Sequence, residues 1–125
     1  MIGHAYDGLP NEACGLLVGP ASGGSLVTRF EPCENAAASS RIYEVAPRDQ
    51  LRIDREADDD GLEVVGVVHS HTHTEPYPSV TDVAQAAHLD SRWHFVIVSL
   101  AQEMPRTRSY LIVGEEIREE QISVT

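Results

Sequence analysis

Glu63-Val64-Val65-Gly66-Val67-Val68-His69-Ser70-His71 is the stretch on which the fold turns. The run up to Val68 is apolar and β-branched, typical of a buried strand, and His69 and His71 continue it two residues apart. Side chains alternate along a strand, so both imidazoles leave the same face with their Cα atoms roughly 6 to 7 Å apart. That is close enough to hold one ion between them.

The residues that follow extend the pattern. Thr72 to Asp82 reads Thr-His-Thr-Glu-Pro-Tyr-Pro-Ser-Val-Thr-Asp, which completes the spacing H-x-H-x7-S-x2-D. A Pro-rich turn should bring Asp82 back on the first turn of the next helix. Two imidazoles and a carboxylate, with a fourth position left to water, describe a catalytic zinc better than a closed structural one. Iron or manganese can occupy similar ligands.

Outward from this centre, short elements alternate. Met1 to Tyr6 reads as the end of a helix closed by Asp7-Gly8, so that the chain begins mid-helix with its N-terminal helix shortened. Cys14 to Val18 is an apolar strand, Pro20 to Ser25 a Gly/Ser turn and Leu26 to Phe30 the returning strand of a hairpin. Ile42 to Val45 forms another short strand. Pro47 fits the first position of a helix running to about Asp58, with Leu51 and Ile53 facing inward and Gly61 beyond its end. Val80 to Leu89 is a helix rich in small residues. His94 to Leu100 is a second buried strand, Arg108 to Val113 a third, and Glu120 to Val124 an edge strand. The expectation is one α/β domain over residues 1–125, a sandwich with a mixed, curved β-sheet flanked by helices and with its chemistry at strand ends.

Composition narrows the function classes. Twenty acidic residues against nine basic ones give a net charge of −11, which repels nucleic acid and anionic membrane surfaces alike. Cysteine is limited to Cys14 and Cys33, and neither a secretory leader nor a long apolar span is present in the sequence, so a reducing cytoplasm is the expected setting. Asp58-Asp59-Asp60 reads as a solvated corner, since consecutive aspartates do not converge on an ion without a Gly-shaped loop.

Hydrolysis needs a base and an oxyanion donor besides the metal. Glu12 stands immediately before the first strand and lies beside the ion if the two strands are neighbours; there it could take a proton from the metal's water and pass it to a leaving amine. Ser79, at the start of a helix, could donate its hydroxyl to the developing oxyanion.

Glu12 together with the run from His69 to Asp82 resembles the complete JAMM motif of the MPN+ metallopeptidases. Pro-Asn-Glu-Ala-Cys-Gly-Leu-Leu at residues 10 to 17, His-Ser-His-Thr at 69 to 72 and Glu-Pro-Tyr-Pro-Ser-Val-Thr-Asp at 75 to 82 are similar to the stand-alone prokaryotic branch of that family. Within it the chain most resembles the Mec-type hydrolases, which remove a cysteine from the C-terminus of a small ubiquitin-like sulfur-carrier protein. The resemblance implies a cytidine-deaminase-like architecture, one Zn2+ per chain on His69, His71 and Asp82, Glu12 as general base and acid, and Ser79 as oxyanion donor. It implies a zinc metallopeptidase or isopeptidase whose substrate is a small carrier protein. No room remains after Asp82 for the insertions with which eukaryotic relatives grip ubiquitin, which disfavours polyubiquitin as substrate.

Each residue has a plainer explanation beside this one. Two strand-end histidines can simply pair with backbone groups, and Glu12 alone would be a surface glutamate. Ser79 and Asp82 also fit a helix cap, S-x-x-D. His73 breaks the spacing and reads as a solvent-facing residue, or one that supports the ligands, rather than as a ligand itself. Cys14 reads as core, Tyr43 and Trp93 as packing, and Tyr77, between two prolines, as the aromatic best placed to touch substrate. Competing metal folds fail on detail: the cupin pattern lacks its glycines, the H-x-H-x-D-H hydrolase pattern has histidine at residue 73, and the P-C-x-x-C of the zinc deaminases is absent. A rival class is a non-catalytic module of the same fold that docks a carrier protein or partner enzyme; an intact Glu12 speaks against it.

Overall fold

The computed structural model describes residues 1–20 and 26–124, and its elements follow the hydrophobic pattern closely. In chain order they are α1 (Ile2–Asp7), β1 (Cys14–Pro20), β2 (Arg29–Cys33), α2 (Pro47–Asp59), β3 (Leu62–His71), α3 (Val80–Ala86), β4 (His94–Ser99), β5 (Arg106–Val113) and β6 (Glu116–Glu120). The six strands make one mixed sheet in the order β2-β1-β3-β4-β5-β6. Only β3 and β4 run parallel, joined across the sheet by α3; the other neighbours are antiparallel. Mixed sheet and flanking helices are the α/β architecture the sequence implies.

Alternation along the strands separates two apolar layers. One face carries Cys14, Leu16, Val18, Val67, Phe95, Ile97, Tyr110 and Ile112 and is closed by Ile53 and Ala57 of α2 and Ala86 of α3. The opposite face carries Leu17, Val65, Val68, Val96 and Val98, with Ala5 of α1 against them. His69 is laterally paired with Cys14 on one side and Ile97 on the other, so its ring continues the first face. Gly66 permits the close approach of β3 to β4, because a Cβ there would lie 2.3 Å from the carbonyl oxygen of His94.

Several elements differ from expectation, each for a local reason. The second strand begins at Arg29 and runs through Pro32 to Cys33 rather than from Leu26 to Phe30. Proline is tolerated because β2 lies at a sheet edge, where a missing N–H faces outward. Residues 21–25 of the expected turn lie outside the described residues. Ile42 to Val45 is not a strand: only Val45 bridges, to Asn35, whose side chain accepts from the Glu44 N–H and donates to the Ile42 carbonyl in place of a ladder. Leu51 of α2 is exposed, while Ile53 and Ala57, one turn apart on the same side, are the residues turned inward. The final edge strand is Glu116–Glu120, four residues earlier than the apolar tail suggested. Gly114, at φ +61, sets a two-residue turn between Val113 and Glu116, and the charged strand it starts suits an exposed edge.

Candidate functional site

The site lies at the carboxyl end of β3, where the parallel pair β3 and β4 opens toward the start of α3. Alternation places His69 and His71 on one face, both only 3% exposed. Asp82, in the first turn of α3, projects back to meet them. Its Oδ2 lies 2.9 Å from His71 Nε2 and 3.2 Å from His69 Nε2, and the two Nε2 atoms are 3.1 Å apart. Among the described residues, these three form the cluster whose ligand atoms converge as a metal site requires. His73 is exposed and stands outside it.

The donor set fits a divalent ion. Three ligand atoms on a tetrahedral zinc, each about 2.0–2.1 Å from it, are about 3.3 Å from one another, close to the triangle observed. The His71 Nδ1–H donates to the carbonyl of Glu75 at 2.8 Å, which leaves Nε2 of the neutral ring presenting a lone pair to the Asp82 carboxylate. Two acceptors at that distance call for a proton or a cation between them. The paired histidines hold the Asp82 carboxyl well below its usual range despite the burial that opposes this. Burial pulls the fully enclosed His69 down, whereas His71 rises, because Asp82 and the Glu75 carbonyl outweigh its burial.

Asp82 is oriented by the helix cap. Ser79 Oγ accepts from the Asp82 N–H at 3.1 Å, and the Ser79 N–H donates to Asp82 Oδ2 at 2.9 Å, a reciprocal capping box. The carboxylate oxygen that meets the imidazoles is thus the one the cap holds. Because Ser79 Oγ accepts in this pair, its hydroxyl proton is free to be donated elsewhere.

Glu12 arrives from the neighbouring strand. Cys14 pairs with His69, and one step on Ser70 N–H donates to the Ala13 carbonyl at 2.9 Å, which brings Glu12 level with His71. Its carboxyl is buried, and its Oε1 has no hydrogen-bond partner. Burial pushes it up to about 8; the charge of His71 acts against this and that of Asp82 with it. A buried carboxyl beside a cation site, near neutral pKa and with a free oxygen, is equipped to accept and return a proton.

Four supporting residues escaped the sequence reading. Ser70, between the two histidines but on the opposite face, accepts from the Ala13 N–H at 2.8 Å and so fixes the residue next to Glu12. Asn35 donates to the Glu12 carbonyl at 2.9 Å, and Thr72 ties the same loop down by donating to Ser40. Tyr43, expected only to pack, stacks on the His69 ring with centroids 4.2 Å apart at 18°. Ser70 left one signal: a hydroxyl in a buried apolar strand must find a partner. Asn35 and Tyr43 left none, since loop residues far apart in sequence meet only in the fold.

The family model for prokaryotic homologs of the JAB domain matches residues 1–113. A CysO-cysteine peptidase of Mycobacterium tuberculosis is 39% identical over 125 residues, covering 99% of this chain and 84% of the relative. A desampylase of Haloferax volcanii is 31% identical over 129 residues, covering 99% and 88%. In structure, a protein from Desulfitobacterium hafniense superposes with TM-score 0.89 at 35% identity, covering 100% of this chain and 86% of the other. A JAB1/MPN domain protein from Archaeoglobus fulgidus, at 19% identity and TM-score 0.61, shares the fold.

Proposed function

The chain belongs to the family of prokaryotic homologs of the JAB domain, a hydrolase by that membership, and from this we propose that it is a zinc peptidase. Its substrate on this reading is the amide bond at the C-terminus of a small ubiquitin-like sulfur-carrier protein, and its product is free cysteine. The peptidase and desampylase relatives support a carrier protein as partner. The observation that carries the reading is the meeting of His69, His71 and Asp82 beside a buried, partnerless Glu12 oxygen.

Zinc on His69, His71 and Asp82 would supply Lewis acidity, polarising the scissile carbonyl and acidifying a water. Glu12 accepts a proton at Oε1 from the attacking water as its oxygen bonds to the carbonyl carbon. Ser79 donates its hydroxyl to the carbonyl oxygen while negative charge builds there. Glu12 then returns the proton to the amide nitrogen, the C–N bond breaks, and the carrier carboxylate and a free amine leave. The Glu75 carbonyl keeps His71 in one tautomer, and Tyr43 stacks on the His69 ring, whose buried Nδ1 has no hydrogen-bond partner.

Release of cysteine from a carrier–cysteine adduct, followed by mass spectrometry, tests this. The native protein should liberate cysteine, and Glu12→Gln should slow the release about 100-fold or more while staying folded. Equal rates for the two proteins would assign the proton transfers to another residue; no release by the native protein would remove the substrate assignment.

A further inference from the structure

Beyond the motif loop the same sheet face continues into a cleft of about 290 Å³ bounded by Glu75, Tyr77, Arg106, Arg108, Tyr110 and Glu119. That volume is at the small end for ligand sites, suited to a single residue rather than to a folded partner. Its position relative to the site follows from strand register. His71 pairs with Ser99, and Ser99 with Arg106, so the three stand in a row across β3, β4 and β5. Laterally paired residues share a face, and two strand spacings put Arg106 about 10 Å from His71 at Cα. An extended arginine reaches back across most of that gap.

The cleft is firmly built. Tyr110 donates its hydroxyl to the Pro76 carbonyl, and its ring meets that of Tyr77 edge-on at 5.5 Å, so β5 and the motif loop form joined walls. Arg108 is held by Glu119 at 2.7 Å and is neutralised there. Arg106 is exposed and makes no ion pair among the described residues, although six of the nine basic residues of this acidic chain pair with its own carboxylates.

We propose that this cleft receives the residue released by hydrolysis, and that Arg106 binds the α-carboxylate of that residue. The proposal rests on the peptidase reading and adds the requirement of a free C-terminus to it. A leaving residue extends only one Cα step, about 3.8 Å, beyond the scissile bond, so its carboxylate needs a partner close to the site, and the cleft beside Glu75 offers Arg106 for it. A chain of net charge −11 repels such a terminus unless a local cation offsets the field. Glu75 joins the site to the cleft, since its carbonyl accepts from His71 Nδ1–H while the residue lines the cleft, and with Arg106 it offers one charge of each sign to the two ends of a free amino acid.

The test compares two carrier–cysteine adducts, one ending in a free carboxylate and the other in a carboxamide. The native protein should favour the acid about tenfold or more, with the difference in KM, as a charge-assisted hydrogen-bond pair implies. Arg106→Gln should lose this preference, and Arg118→Gln, on the outer edge strand, should keep it. Equal use of both adducts by the native protein overturns the proposal. So does an Arg106→Gln protein that loses equally on both, which would assign the arginine to an acidic surface of the carrier. Failure of the peptidase reading itself is distinguishable, because binding of a fluorescent peptide ending in cysteine, as acid and as amide, needs no turnover: equal affinity for the two forms overturns the subsite.

Discussion

Ser70 and Glu12 illustrate how single side chains set this site. Ser70 touches no proposed ligand, yet its hydroxyl satisfies the buried N–H of Ala13 and so fixes the backbone that carries Glu12. Ser70→Ala strands that donor and should lower unfolding stability by about 1–3 kcal/mol in urea titrations, with zinc content kept and turnover reduced. Retention of both stability and turnover would mean that the β1 to β3 ladder alone positions Glu12. Glu12 itself predicts a pH dependence. Its carboxyl ionises near 4.5 when unfolded but at about 8 when folded, so between those values the folded state binds more protons. The contribution is therefore fully present below pH 4.5 and is lost as pH rises through about 8. In metal-free protein, the melting temperature of the native chain should fall relative to that of Glu12→Gln between about pH 5 and pH 8. Parallel curves would show that Glu12 ionises normally in its buried place.

At the level of elements, two glycines shape the metal-site strand for different reasons, Gly66 within it and Gly61 just before it. Gly66 meets the His94 carbonyl at a distance no Cβ tolerates, whereas Gly61 has open space but a φ of +70. Gly66→Ala must push β3 and β4 apart and should cost more than about 2 kcal/mol, while Gly61→Ala pays only backbone strain of about 1 kcal/mol. Chemical denaturation of both variants would reveal the order, and a reversal would show that the parallel pair is less tightly spaced than described. The same contrast explains what was legible in the sequence. β3 and β4 could be read directly because both faces are buried and the runs are almost unbroken in hydrophobicity. β6 was misplaced because its residues are charged and carry no burial pattern, so that only the Gly114 turn marks its start. Ile42 to Val45 reads as a short strand from its residues but is not one, because hydrogen bonds to the Asn35 side chain, invisible to periodicity, replace its ladder.

Across the whole molecule, the sheet order brings β1 beside β3 and thereby joins Glu12 to a motif almost sixty residues later. Spacing suggested the ligand set His69, His71 and Asp82, but the meeting with Glu12 depended on strand neighbours that local sequence does not encode. The supporting ring of Asn35, Tyr43 and Thr72 was hidden for the same reason. No helix among the described residues is long and apolar enough to cross a membrane. The acidic surface and the one cluster of buried, converging donors among the described residues leave the metal as the point on which the account depends. Elemental analysis of protein purified without added metal should find about one zinc per chain, falling to a small fraction of that in His69→Ala. A native protein without stoichiometric metal, or a zinc content that His69→Ala leaves unchanged, would contradict it.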